Sequence, residues 1–246
     1  MNSTRRTSVA TGALLIVATA AALAGAQLVD PVLAGGNYLA DLATHPNQVA
    51  GGALLYLVAA AGSVSIAISL YSVLKKTHPT LALSSVVFRA VEAVLYVVAV
   101  VTLLSVLTIS QQVNTDPTNQ DSIQAVGDAL LSMREHATLA AVFAFSLGAA
   151  IYYVLFYQSR LVPRWLSGWG IAAVIVMMTA CLLALFSDSP ITGYTLLVLP
   201  IAAQEMVLAV WLLTKGVSPS VPQPRASSEN PPAAATVDTT TAPKVA

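Results

Sequence analysis

The chain has 246 residues, of which 57% are hydrophobic and only 9% are charged. Its mean hydropathy is +0.77, whereas a soluble domain has about a quarter of its residues charged, so the composition fits a lipid bilayer. The 11 basic and 11 acidic residues balance, which excludes an overall basic surface, and we expect no nucleic-acid partner.

Apolar runs long enough to cross a bilayer determine the expected architecture. About 20 apolar residues cross the hydrocarbon core of a membrane, and six runs come near that length or exceed it. We therefore predict an all-α fold, a polytopic bundle of six membrane-spanning helices. The runs lie at residues 8–29, 51–74, 81–109, 137–157, 168–186 and 194–214.

The two ends of the chain differ from this central domain. We predict a cytoplasmic N-terminus at residues 1–7 and a transmembrane domain at residues 8–215. From residue 216 the sequence is rich in Pro, Ala, Ser and Thr, a composition that cannot form a core, and we predict a disordered cytoplasmic tail at 216–246. Arg5 and Arg6 before the first run, together with small residues at its end, also resemble a secretory signal. The first span is thus either a retained helix or a cleaved signal.

The basic residues of the short connections predict the orientation. Lysine and arginine are retained in cytoplasmic loops, and the pairs Lys75–Lys76 and Arg160–Arg164 follow the second and fourth spans, on the side of both termini. The opposite side carries one basic residue, Arg134. Its acidic residues are Asp30, Asp41, Asp116, Asp121, Asp128, Glu135 and Asp188. We therefore predict that both termini are cytoplasmic.

The two outer connections each contain a helical pattern. Residues 37–42 predict a short interfacial helix with Tyr38 at the level of the lipid headgroups. Between the third and fourth spans, the spacing of apolar residues after Asn119 or Asp121 predicts a short amphipathic helix, separate from the fourth span or continuous with it. The apolar residues are Ile123, Val126, Leu130 and Met133. This helix would cover apolar surface of the bundle, or contact a ligand or an external partner.

Three ionisable residues lie deep inside the apolar runs: Arg89 and Glu92 in the third, and Glu205 in the sixth. Arg89 and Glu205 are each about nine residues from the cytoplasmic ends of their spans, or roughly 14 Å at 1.5 Å per residue. Equal depth allows an ion pair between the two spans, with Glu92 sharing the arginine or standing apart. Tyr96 and Gln204 would add hydrogen bonds if they face inward.

This charged cluster has two interpretations. A buried ion pair fixes which helices pack together, as in a structural or partner-binding membrane subunit whose partner is another membrane protein or a second copy. Intramembrane carboxylates also bind protons and substrates, so the alternative is a small proton-linked carrier or permease that uses Glu92 and Glu205. The substrate of such a carrier is not indicated.

Signatures of enzymes and metal sites are missing from the sequence. His45, His78 and His136 lie at loops or helix ends on both sides of the membrane, where they cannot form a metal triad. The metalloprotease, P-loop and serine-hydrolase motifs do not occur, and Ser167 is expected to cap the fifth span. We therefore predict no catalytic residue, no metal, no cofactor and no enzymatic activity, with a membrane-embedded enzyme as the remaining alternative.

The chain resembles the uncharacterised bacterial integral membrane family known as domain of unknown function 4386. The resemblance lies in Arg6 with Gly12, in residues 88–92, and in Glu205 with residues 211–216. It also includes a cytoplasmic loop motif, residues 159–167, with Ser159, Pro163, Arg164 and Trp165. The resemblance implies that the first span belongs to the mature domain and that the protein is a multi-pass protein of a bacterial plasma membrane. It implies no activity, because the family has none assigned.

Overall fold

A computed structural model describes residues 3–112, 120–187 and 190–217. Most of these residues are helical, and no strand occurs among them, which confirms the predicted all-α fold. The predictions for Asp116, Asn119, Asp188 and residues 218–246 of the tail lie outside the described residues.

Seven α-helices and one 3-10 turn make up the described chain. All of the helices except α2 are long and apolar enough to cross a membrane, as the six apolar runs predict. Several begin earlier than the runs, because polar first turns continue a helix beyond the hydrocarbon. The elements are α1 Ser3–Leu33, α2 Tyr38–Thr44, α3 Pro46–Leu74, α4 Pro79–Ser110, α5 Gln120–Ser159, α6 Arg164–Phe186, the 3-10 turn Ile191–Tyr194 and α7 Thr195–Thr214.

The six long helices form a closed ring. Each packs mainly against its neighbours in the order α1, α3, α4, α5, α6, α7, and α7 packs against α1 again. Neighbours run antiparallel, so the start of α1 and the end of α7 lie on one face of the ring, which we call the terminal face. In this ring α4 lies across the interior from α7, and an ion pair between them must cross the centre of the bundle.

The half of the ring interior nearest the terminal face is filled by large side chains. Tyr153 and Phe156 from α5, Leu166 from α6 and Leu212 from α7 are all fully buried, and they belong to one hydrophobic core with Leu74 of α3. Side chains of this size pack at the density of an organic crystal. This half of the interior is therefore closed.

On the opposite face, α2 and the first turns of α5 cover the ends of α1 and α4 with a second hydrophobic core. The predicted amphipathic helix is the first part of the 40-residue α5. Ile123 and Leu130 pack on this core, but Val126 and Met133 are 50% and 53% exposed, so that part of the predicted apolar face is wrong. Val126 and Met133 each follow a core-facing residue by three positions, about 300° of rotation, so they point roughly 60° away from the side that packs on the core.

A short hydrogen bond joins α2 to α5. The Tyr38 hydroxyl donates to Asp128 Oδ1 at 2.6 Å, and a Cβ added at Gly127 would lie 2.6 Å from the same hydroxyl oxygen. Burial, and then the neighbouring Asp128 carboxylate, raises the pKa of Tyr38 above its ordinary value. Tyr38 therefore remains a neutral donor throughout the physiological pH range.

The loop motif forms the tight connection between α5 and α6. Arg160 adopts the left-handed conformation, with φ of 54°, which ends α5. Leu161 and Val162 are then buried in the hydrophobic core at the terminal face. Pro163 precedes the first turn of α6, a position where its missing N–H costs nothing. The predicted cap at Ser167 is wrong: Ser167 lies within the first turn, and its hydroxyl donates to Pro163 O at 3.5 Å.

Arg5 caps the end of α7, and its replacement by glutamine is expected to lower the free energy of unfolding by about 1–2 kcal/mol. Its guanidinium donates to three terminal carbonyls of α7, those of Leu212, Leu213 and Thr214, at 3.3, 2.7 and 3.1 Å. These carbonyls have no partner within the helix. Thermal unfolding in detergent checks the loss, with Arg6→Gln as control, since Arg6 is exposed. Equal losses in the two variants would contradict the capping role.

Candidate functional site

The three intramembrane charges meet at the centre of the ring, where Arg89 and Glu205 form the pair that their equal depth allows. Arg89 Nη1 lies 3.0 Å from Glu92 Oε2, and Arg89 Nη2 lies 3.8 Å from Glu205 Oε1. All three residues are buried, with exposed fractions of 2%, 4% and 8% respectively. The arginine is therefore shared by both carboxylates, and its closer contact is with Glu92 on its own helix.

Hydroxyl groups of three other helices donate hydrogen bonds to the two carboxylates. The Ser63 hydroxyl of α3 donates to Glu92 Oε2 at 2.8 Å. Glu205 accepts longer hydrogen bonds from Thr19 of α1 and Tyr152 of α5, both at 3.5 Å. With α4 and α7, which carry the charges, the cluster joins five of the six spanning helices.

Aromatic rings of α5 cover the guanidinium. Its central carbon lies 4.5 Å from the ring centroid of Phe145 and 5.9 Å from that of Tyr152, distances at which the negative face of a ring attracts a cation. This attraction compensates part of the cost of removing the guanidinium from water. Arg89 is therefore bound by two carboxylates and two rings.

A glycine makes room for the arginine between α4 and α5. A Cβ added at Gly148 would lie 3.3 Å from both Arg89 Cγ and Phe88 Cβ, closer than comfortable contact. The Ser85 hydroxyl, one turn before Arg89, donates to the Gly148 carbonyl at 3.0 Å. The small residue thus allows α4 and α5 to approach closely, as is common between helices in membranes.

The cluster is not fully satisfied. Arg89 Nε is buried without a hydrogen-bond partner, although every other buried side-chain nitrogen and oxygen among the described residues has one. Two carboxylates also face a single guanidinium, so full ionisation leaves one net negative charge at the membrane centre, where charge is costly. A bound proton or cation would balance it.

The two predicted supporting residues take other roles. Gln204 is buried, but it accepts from the Tyr153 hydroxyl and donates to Leu166 O at 3.2 Å, so it ties α7 to α5 and α6. Tyr96 follows Glu92 by one helical turn, is half-buried, and lines a cavity on the outer side of the cluster. Gln204 faces away from Glu205 because adjacent residues on a helix point about 100° apart.

The cavity occupies the half of the ring interior that faces away from the terminal face. Its volume is about 380 Å³. Tyr96 lies nearest the cluster, and Asp30, Arg134 and Glu135 lie towards the outer end, with Tyr56 beside Arg134. Arg134 Nη2 is 3.8 Å from Asp30 Oδ1, so an ion pair joins α1 to α5 at this end. The interior is thus filled on one side of the cluster and hollow on the other.

The residues of the loop motif lie on the terminal face, away from the cluster. Ser159 donates to Leu155 O at 2.6 Å within the last turn of α5, and the Arg164 guanidinium carbon lies 5.3 Å from the ring centroid of Tyr157. Trp165 is 57% exposed, as expected of a residue at a membrane interface. The structure gives this motif a role in the α5–α6 turn.

Sequence reasoning missed the residues that support the charges. Ser63 and Thr19 are single hydroxyl residues in apolar spans, a weak signal, since such hydroxyls usually bond to their own helix. The adjacent Tyr152 and Tyr153 in the fourth span are a stronger signal, because a buried tyrosine hydroxyl needs a partner. Phe145 has no polar group and gives no signal.

The fold and the cluster define the class: a multi-pass membrane protein made of a closed ring of six apolar helices. Within the described residues, no three histidine, cysteine, aspartate or glutamate side chains could together hold a metal ion. The model of the family Domain of unknown function (DUF4386) matches residues 10–216, and the chain belongs to this family. No curated protein and no solved structure matches the chain.

Proposed function

We propose that this protein is a non-enzymatic structural or partner-binding subunit of a membrane, in which Arg89, Glu92 and Glu205 clamp the helix ring. The observation that supports this role most is that the cluster is buried and bonds to five of the six spanning helices. A buried ion pair contributes little net stability when intact, but breaking it is costly. Such a cluster selects one arrangement of helices among several that lipid would tolerate equally.

A double-mutant cycle tests the clamp across the ring. Arg89→Met and Glu205→Gln are each expected to destabilise the protein in detergent, and the double variant should recover part of the loss, with a coupling energy of about 0.5–3 kcal/mol. The control pairs Arg89→Met with Asp128→Asn, which lies at the α2–α5 contact and should behave additively. Additive losses for Arg89 and Glu205 would refute the clamp.

The partner and the orientation belong to the same proposal. We place both termini in the cytoplasm of a bacterium, because the basic connections lie on the terminal face, and we take the partner to be a second copy or another membrane protein. Cys181 is buried, so single cysteines introduced at Lys76 and Ser132 report each face separately. Labelling of Ser132→Cys by an impermeant maleimide in intact cells, without labelling of Lys76→Cys, is the expected result; the reverse pattern would overturn the orientation.

A proton-linked carrier is a second candidate, and the cavity favours it. Tyr96 in the cavity wall and Glu92 in the cluster are one turn apart on α4, so an outward-facing chamber ends next to carboxylates that could exchange protons. Proton flux into liposomes, followed with a pH-sensitive dye, tests this function. A carrier predicts flux that Glu92→Gln or Glu205→Gln abolishes, whereas the clamp alone predicts no flux in any of these proteins.

A further inference from the structure

The cavity between α1, α3, α4 and α5 has the size of a ligand site. Its 380 Å³ fall within the range of about 300–1,000 Å³ found for small-molecule pockets. It lies in the outer half of the ring interior, and residues 190–192 also line it. Glu135 in its lining is exposed, so the cavity opens towards the face away from the termini.

The charged residues of the cavity determine whether it attracts a positively or a negatively charged ligand. Two carboxylates, Asp30 and Glu135, face one guanidinium, Arg134, and among the residues that the structure describes no other acidic or basic side chain lines the walls. Arg134 is already engaged by Asp30 at 3.8 Å, which leaves the Glu135 carboxylate to act on a ligand. The cluster beneath the cavity likewise has two carboxylates for one guanidinium. The cavity and the cluster therefore both attract a cation and repel an anion.

The remaining walls select the rest of the ligand. Tyr56 and Tyr96 contribute aromatic rings, which attract ammonium groups, and aliphatic side chains from α1, α4 and α5 form most of the lining. These are Ala26, Leu33, Ala99, Val100, Leu103 and Leu131. A small inorganic cation would leave this apolar surface in contact with water, whereas an apolar group attached to the charge would cover it.

We infer that this cavity binds a small amphiphilic organic cation, an ammonium group carrying one compact apolar substituent. The ammonium lies between Glu135 and the tyrosine rings, and the apolar substituent lies against Val100, Leu103 and Leu131. Binding needs only the cavity, so this inference goes beyond the proposed clamp. If the protein is a carrier, the same cation is its substrate class, and that statement rests on the proposed transport function.

Calorimetry on the full chain in an uncharged detergent tests the site with benzyltrimethylammonium as the probe and phenylmethanesulfonate as the matching anion. The cation is expected to bind and the anion not to bind. Glu135→Gln should weaken binding of the cation about tenfold, since it removes the unpaired carboxylate. Arg134→Gln should strengthen it severalfold, because it removes the repelling charge and frees Asp30.

The opposite signs of these two effects separate recognition from damage, since a misfolded variant does not bind more tightly. Asp121→Asn is the charge-matched control, because Asp121 is an exposed residue of α5 outside the cavity, and it should leave binding unchanged. Lack of heat with the cation, equal binding of both ions, or equal weakening by Asp121→Asn and Glu135→Gln would each overturn the site. None of these outcomes affects the clamp, which the unfolding cycle tests, or proton flux, which is measured separately.

Discussion

The Arg89→Met variant is expected to lose about 3–5 kcal/mol of unfolding free energy, the largest effect of any single change proposed here. Methionine fills a similar volume, but it leaves Glu92 and Glu205 facing each other at the membrane centre without their shared cation. The Ser63 hydroxyl remains on Glu92, and the longer bonds from Thr19 and Tyr152 remain on Glu205. Neutral hydroxyls cannot replace a guanidinium as partner for two buried carboxylates.

Arg134→Met is the matched control for this loss. Its ion pair with Asp30 has the same N–O distance of 3.8 Å as that of Arg89 with Glu205, but the Asp30 side chain is 42% exposed. Water can solvate Asp30 after the change, and we expect a loss of no more than about 1 kcal/mol. Chemical unfolding of both variants in mixed micelles compares them. Similar losses would show that burial of the cluster does not determine how much it contributes to the free energy of unfolding.

The Gly12→Ala variant is expected to lose about 1–3 kcal/mol because the added methyl group forces α1 away from α7. Its Cβ would lie 2.8 Å from Ala209 O and 2.9 Å from Leu213 Cγ. The carbonyl belongs to a helix backbone and cannot rotate away, so one of the two helices must shift. The shift would weaken the contact that closes the ring, including the Arg5 cap at the end of α7.

Gly168→Ala is the control for this effect. Nothing lies within 4 Å of a Cβ added at Gly168 in α6, so alanine there should gain about 0.5–1 kcal/mol from its higher helix propensity. Melting temperatures of the two variants should therefore move in opposite directions relative to the unsubstituted protein. A gain for Gly12→Ala would mean that α1 and α7 are packed less closely than the structure shows.

Much of the fold follows from local physics, and for this reason the sequence predicts it well. A backbone in hydrocarbon must satisfy its own hydrogen bonds, so each long apolar run can only be a helix, and α3, α4 and α7 end within a residue of the predicted limits. Helix starts were less exact: α1 begins at Ser3 rather than at residue 8, and the helix predicted after Asn119 or Asp121 is continuous with the fourth span as α5. The polar first turn of α1 carries no apolar signal, although it continues the same helix.

The candidate site was predictable only in its charges. A buried arginine and two glutamates are conspicuous in an apolar sequence, and their equal depth in two spans allowed the pair of Arg89 with Glu205 to be predicted. The equal depth did not show where the two spans stand in the bundle, and α4 and α7 lie across the ring from each other. Sequence spacing describes one helix at a time and contains no information on which helices are neighbours.

By itself, the sequence therefore determined the number of spanning helices, their alternating directions and the presence of charge at mid-membrane, because each depends on one segment and its solvent. The tertiary structure alone decided the closed ring, the hydroxyls and rings around Arg89, and the cavity with Asp30, Arg134 and Glu135 near its mouth. These features depend on side chains from several helices meeting in one place. In a bilayer the lateral order of helices is set by packing and hydrogen bonding, since hydrophobicity is the same on every lipid-facing side.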